Sequence, residues 1–143
     1  MMPKVDFYIL HTQSRQASAH LACQLADKAW HQGYRIYIQT NAMAEAQQLD
    51  DTLWTFKEES FLPHDIYPDT SSTAPIRIGY TEQICEGMDV LINLTNAVPP
   101  FFEQFERIAD IVDDTPLARE EGRNRYRFYR EKGLILKTHQ INR

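Results

Sequence analysis

The sequence predicts an α/β domain of three layers, with helices on both faces of a mostly parallel central sheet. It is Rossmann-like, but without a phosphate-binding loop. Three observations predict this. Short β-branched and aromatic runs alternate with stretches of helical period, the order that a crossover-built parallel sheet requires. Runs such as Val5-Asp6-Phe7-Tyr8-Ile9-Leu10 and Val90-Leu91-Ile92 are apolar at most positions, as strands covered on both faces are. The five glycines, at 33, 79, 87, 122 and 133, form neither G-x-G-x-x-G nor G-x-x-x-x-G-K-[ST].

The elements follow in chain order. Val5 to Leu10 is the first strand. Ser14 to Gln32 is a helix, with Ala22, Leu25, Ala26 and Ala29 recurring at three- and four-residue steps and Gly33 stopping it. Arg35 to Gln39 is the second strand. Asn41 is placed to cap a second helix from Ala42 to about Trp54, with Ala46, Leu49 and Leu53 on one side. Lys57 to Thr73, with two prolines and an Asp-Thr-Ser-Ser-Thr run, reads as mostly loop. Ile76 to Tyr80 alternates as a short strand that suits an edge, and Asp89 to Leu94 is a buried strand. Pro99 and Pro100 start a helix through Phe101, Phe102 and Phe105, and Ile108 to Val112 is a further strand. Pro116 starts the last helix, which runs to about Lys132 with Gly133 ending it. Leu134-Ile135-Leu136 is a final short extended piece. No repeat or linker interrupts the pattern, so residues 1–143 read as one domain.

Composition narrows the class. At 43% hydrophobic and 24% charged, the chain belongs with globular proteins. No apolar run approaches the ~20 residues of a membrane helix. Met1 to Asp6 carries one lysine and then a strand-like pattern, unlike a signal peptide. Cys23 and Cys85 are too few and too far apart for a disulfide framework or a zinc site, and read as small core residues of a cytoplasmic protein. The net charge of −5 is unevenly spread: residues 118–143 carry +5 and the rest −10. A basic segment on an acidic body suits local docking of something negative and disfavours nonspecific wrapping of DNA.

The chemistry of an enzyme is missing. The loop after the first strand, His11-Thr12-Gln13-Ser14-Arg15-Gln16, has no glycine through which backbone N–H groups can approach a phosphate. His11 stands where α/β enzymes place catalytic groups, yet no G-x-S-x-G elbow accompanies it, so it reads as a strand-end histidine. His20, His31, His64 and His139 lack metal-ligand spacing, and no cofactor is expected. Asp50-Asp51, Glu58-Glu59 and Asp113-Asp114 read as solvated loop or helix-end charges.

Two constellations look like binding surfaces. Trp54 and Phe61 sit at a helix end and in the loop beyond it, where large aromatics serve equally as core or as interface anchors. On the last helix, Arg119, Arg123, Tyr126, Arg127 and Arg130 fall within an arc of roughly 100°. Such a stripe is either a solvated charged face or an anion site offering planar bidentate donors. Val112, just upstream, adds an apolar neighbour.

Phe7-Tyr8-Ile9-Leu10, Leu53-Trp54 with Glu59-Ser60-Phe61-Leu62-Pro63-His64, and Arg123-x-Arg-Tyr126-x-x-Tyr129-Arg130 together resemble the DNA polymerase III chi subunit family, in order and along essentially the whole chain. The resemblance implies a non-catalytic adapter of the clamp-loader complex. Chi subunits pair with the psi subunit, which tethers them to the clamp loader, and bind the acidic C-terminal tail of single-stranded DNA-binding protein. Carried onto this chain, Trp54 and Phe61 correspond to the psi surface. Val112, Arg119, Arg123 and Tyr126 correspond to the tail site. Arg119 stands where a lysine is usual, which keeps the charge, and Glu121 where an apolar residue is usual. Contact with DNA is then indirect, and membranes are not involved. A degenerate nucleotide-binding enzyme and a direct single-stranded DNA binder are the alternatives from other classes.

Overall fold

A computed structural model describes residues 3–56, 62–67, 73–83 and 86–141. Among them lie seven strands and three α-helices: β1 (Lys4–Leu10), α1 (Arg15–His31), β2 (Ile36–Gln39), α2 (Met43–Thr55), β3 (His64–Ile66), β4 (Ile76–Gly79), β5 (Val90–Asn93), β6 (Arg107–Val112), α3 (Pro116–Glu131) and β7 (Ile135–Ile141). The strands form one sheet in the order β3-β4-β2-β5-β6-β1-β7. All six pairings are parallel.

Both faces of the sheet are covered, which is why its inner strands are apolar at successive positions. One face packs Ile36, Ile38 and Ile92 against Leu21, Ala22, Cys23 and Ala26 of α1 and Ala46, Leu49 and Leu53 of α2. The other packs Phe7, Tyr37, Leu91 and Ile108 against Tyr129 of α3 and the cluster of Phe101, Phe102 and Phe105. The Cys23 thiol, wholly buried, is pushed up to about 12 by loss of hydration, as an inert core residue is. Cys85 lies outside the described residues.

The helix ends follow from local chemistry. Ser14 accepts the Ala17 N–H at the start of α1, and Thr115 accepts the Ala118 N–H at the start of α3, where Pro116 follows. Gly33 and Gly133, just past α1 and α3, take φ of 90° and 84°, backbone angles that favour glycine.

Four expectations require correction. Asn41 does not cap α2; Ala42 holds that position, and the Glu45 carboxylate instead accepts the Asn41 N–H at 2.9 Å. The stretch read as mostly loop contains β3, and β4 is therefore an inner strand. Arg77, buried on β4, donates to Asp65 on β3 at 2.8 Å and lies 4.9 Å from the Tyr67 ring, which holds that short edge in place. The helix expected from Pro99 is only a single 3₁₀ turn, Phe102–Gln104. Its three phenylalanines are all buried, and Phe105 is already extended to enter β6, so no helical stripe is left to solvent. The last extended piece is a full strand of seven residues. Backbone pairing with β1 along Lys4 to Leu10 builds it, and its polar edge position hides it from a hydrophobic pattern.

Candidate functional site

Helix α3 meets the sheet through Gly122, Arg125 and Tyr129, spaced at three and four residues and all buried. Gly122 makes the approach possible. A Cβ there would stand 3.0 and 3.1 Å from the Val112 methyl carbons of β6. Arg125 grips Asp110 in the middle of β6: Nε lies 3.0 Å from Oδ2 and Nη2 lies 2.9 Å from Oδ1. Asn93 of β5 donates to the same carboxylate at 3.3 Å. Burial raises the Asp110 carboxyl, and Arg125 and Asn93 pull it back. The Tyr129 hydroxyl, buried without a hydrogen-bond partner among the described residues, is raised first by burial and then by the Asp110 charge.

With these residues facing inward, the arginine stripe faces outward. Arg123, Arg127 and Arg130 are exposed, and Tyr126 and Arg119 are half-buried. Val112, Arg119, Arg123 and Tyr126 come together around one cleft of about 160 Å³. Phe7 and Ile9 of β1, Thr138 of β7 and Gly122 complete its walls. The Tyr126 ring leans on Phe7 at 5.3 Å, which fixes its orientation. Its cationic residues differ in how they are engaged. Arg119 donates to the carbonyls of Leu10 at 2.8 Å and Asp113 at 3.1 Å and to Asp114 at 2.9 Å. Arg123 makes no hydrogen bond or ion pair among the described residues, so its guanidinium is the open charge of the cleft. A ring-sized apolar recess beside an open guanidinium can receive a hydrophobic side chain and a carboxylate together.

Trp54 lies on the last turn of α2 and is 53% exposed, so it is surface and not core. Phe61 lies outside the described residues. Trp54 and the α3 cleft sit on opposite faces of the sheet and towards opposite edges, since α2 packs over β3 and β4 and α3 over β6 and β7. His11, at the end of β1, is exposed and pairs with Gln140 of β7 at 2.6 Å.

A larger cleft of about 390 Å³ opens at the carboxyl ends of β2, β5 and β6, where open parallel sheets hold ligands. Glu45, Asp113 and Glu121 stand among its lining residues, and Arg125, which also lines it, is engaged by Asp110, a charge distribution that disfavours phosphate. Glu121 faces this cleft half-buried, which explains how a carboxylate is tolerated at that position of α3.

The family profile described as "DNA polymerase III chi subunit, HolC" matches residues 2–137. The chain belongs to the DNA polymerase III chi subunit family. The DNA polymerase III subunit chi of Pseudomonas aeruginosa is 38% identical over 142 residues, which cover 99% of both chains. The chi subunit of Haemophilus influenzae is 29% identical over 99% of both. That of Escherichia coli is 29% identical over 96% of this chain and 97% of its own. Membership in the chi family gives the chain an accessory role in DNA replication within the polymerase holoenzyme. The fold of this chi-family chain also occurs in solved structures of distant sequence. T4 UvsW superposes with a TM-score of 0.69 at 9% identity, over 97% of this chain and 41% of that one. The C-terminal domain of the DEAD-box protein Dbp5 gives 0.60 at 8% identity, over 99% and 90%. These likenesses concern the fold alone. Among the described residues, no helix of this chi-family chain is long and apolar enough to cross a membrane.

The partners of Arg125 escaped the sequence reading. A signal for them existed: Asp110 is a lone carboxylate inside the buried run Ile108-Ala109-Asp110-Ile111-Val112, and such a charge requires a cation. Phe7 and Ile9 were legible only as strand residues, because their place in the cleft depends on the strand order, and Thr138 lies beyond the extended piece read at 134–136.

Proposed function

We propose that the chain is a non-catalytic adapter of the clamp-loader complex, one chi-like domain working in the cytoplasm without a cofactor. It binds the psi subunit through Trp54 and Phe61. It binds the acidic C-terminal tail of single-stranded DNA-binding protein through the cleft of Val112, Arg119, Arg123 and Tyr126. The observation that carries the reading is the cleft, in which one open guanidinium borders an apolar recess beside Tyr126. Arg123 takes the terminal carboxylate of the tail, and Val112 and Tyr126 border its last apolar ring. Arg119, tied to the loop carbonyls, contributes charge and shape more than a free fork of donors. Each contact is weak, but several tails on one DNA-bound assembly raise the effective concentration.

The test is a double perturbation. Arg123→Ala should weaken a tail peptide roughly tenfold or more, as loss of a charge-assisted pair of about 1.5–3 kcal/mol does. Amidating the terminal carboxylate of the peptide should weaken the wild type strongly and Arg123→Ala hardly further. Simple additivity of the two effects refutes the assignment. A second reading is favoured by the exposure of Arg123, Arg127 and Arg130 on one helix side: direct binding of single-stranded DNA by phosphate contacts. Efficient displacement of the peptide by a naked oligonucleotide would establish it.

A further inference from the structure

We infer that His64 is a positioning residue for Trp54, holding the indole outward in the orientation a partner meets; the inference rests on the docking role proposed for Trp54. An indole that is 53% exposed gains little from burial and so must be oriented by its neighbours. One such neighbour is His64, the first residue of β3, whose ring meets Trp54 at 4.9 Å with an interplanar angle of 62°. That edge-on geometry is one aromatic rings favour.

The histidine is itself held from two sides. Its side chain is wholly buried. Nδ1 lies 2.5 Å from the Leu62 carbonyl, which fixes the ring relative to its own backbone. Nε2 lies 3.2 Å from Asp50 Oδ1, off the line that a hydrogen bond prefers. Asp50 precedes Trp54 by four residues on α2, so the carboxylate and the indole share one helix face a turn apart. The imidazole sits against both. One flat, two-nitrogen ring thereby ties α2 to the three-residue edge strand β3 and gives Trp54 its backing. Neither an aliphatic nor an amide side chain supplies both the ring contact and the polar contact.

The test uses the full chain with fluorine-labelled tryptophan, whose Trp30 and Trp54 resonances report separately, and the psi subunit of the same bacterium as ligand. His64→Leu should shift or broaden the Trp54 resonance, leave that of Trp30 in place and weaken psi about tenfold. Asp50→Asn, at a side chain that is 25% exposed and so tolerant of change, should give the same signature at a few-fold loss. Affinity for the tail peptide should not move in either variant. The inference is overturned if the Trp54 resonance and psi affinity of both variants match the wild type. It is also overturned if affinity falls only with the folded fraction while the Trp54 resonance stays put. If Trp54→Ala itself leaves psi affinity intact, the docking role fails instead, and the fluorine resonance still decides whether His64 orients the ring.

Discussion

Replacing Arg125 with methionine would leave the Asp110 carboxylate buried without its cation. Asp110 has no exposed surface and Arg125 is 5% exposed, so water cannot take over. Three contacts of 2.9–3.1 Å are lost, and among the described residues the Asn93 amide at 3.3 Å is the one side-chain donor left. Removing one member of a buried pair costs about 3–5 kcal/mol. For a chain of this length that lowers Tm by on the order of 10 °C. The penalty carries a signature. Burial already raises the Asp110 carboxyl, and without Arg125 nothing cationic opposes it. A carboxyl raised above its unfolded value favours the folded state less as pH rises, so Arg125→Met should regain stability on acidification. The recovery should approach about 1.4 kcal/mol per pH unit once the folded carboxyl takes its proton, and end when the unfolded one is protonated too. Urea denaturation of wild type and variant at pH 7 and pH 5 measures both quantities. Arg125→Met with Asp110→Leu should recover most of the loss, because no charge then remains buried. A single variant within about 1 kcal/mol of wild type at pH 7, or a double variant as unstable as the sum of the singles, would refute the reasoning.

Three further outcomes are expected. Trp54→Ala and Phe61→Ala should each weaken psi by about 2 kcal/mol or more while tail-peptide affinity holds, as read by calorimetry; unfolding with normal affinity per folded molecule would make the two residues structural and remove them from the psi surface. Burial alone would raise the Asp6 carboxyl, but hydrogen bonds from His139 and Arg107 hold it below its ordinary 3.8. Its stabilising contribution is therefore present above about pH 4 and lost as pH falls further, so the stability gap between wild type and Asp6→Asn should close from pH 6 to pH 3. ATP should show no binding in calorimetry, since residues 11–16 lack glycine and carboxylates line the larger cleft; a micromolar affinity would revive the enzyme reading.

What was legible in the sequence was whatever a periodic pattern declares. β1, α1, β2, β5, β6 and α3 announce themselves through buried runs and helical spacing, and together they imply a parallel sheet. β3 was hidden because three half-buried residues after a proline carry no period. The length of β7 beyond Leu136 was hidden because an edge strand is held by its backbone and keeps Lys137 and His139 among its residues. The stripe on α3 was visible on a helical wheel, but a wheel does not show which arginine a buried carboxylate has claimed. Arg125 lies outside the stripe, and Arg119 within it is tied to Leu10, Asp113 and Asp114. Gly122 had a signal of its own, since a glycine inside a helix costs about 1 kcal/mol and invites a packing reason.

The placement of Trp54 and the α3 cleft on opposite edges of the sheet has a mechanical consequence. Partners held at both would pull across the strands and not along them. Ladders loaded in that direction peel open one hydrogen bond after another, where a lengthwise load would have to break them together. The β3–β4 ladder spans three residues and those joining β4 through β6 span four each, whereas β1 is held along six by β6 and along seven by β7. Under such tension the Trp54 side would be the compliant end of the sheet and the cleft side the stiff one.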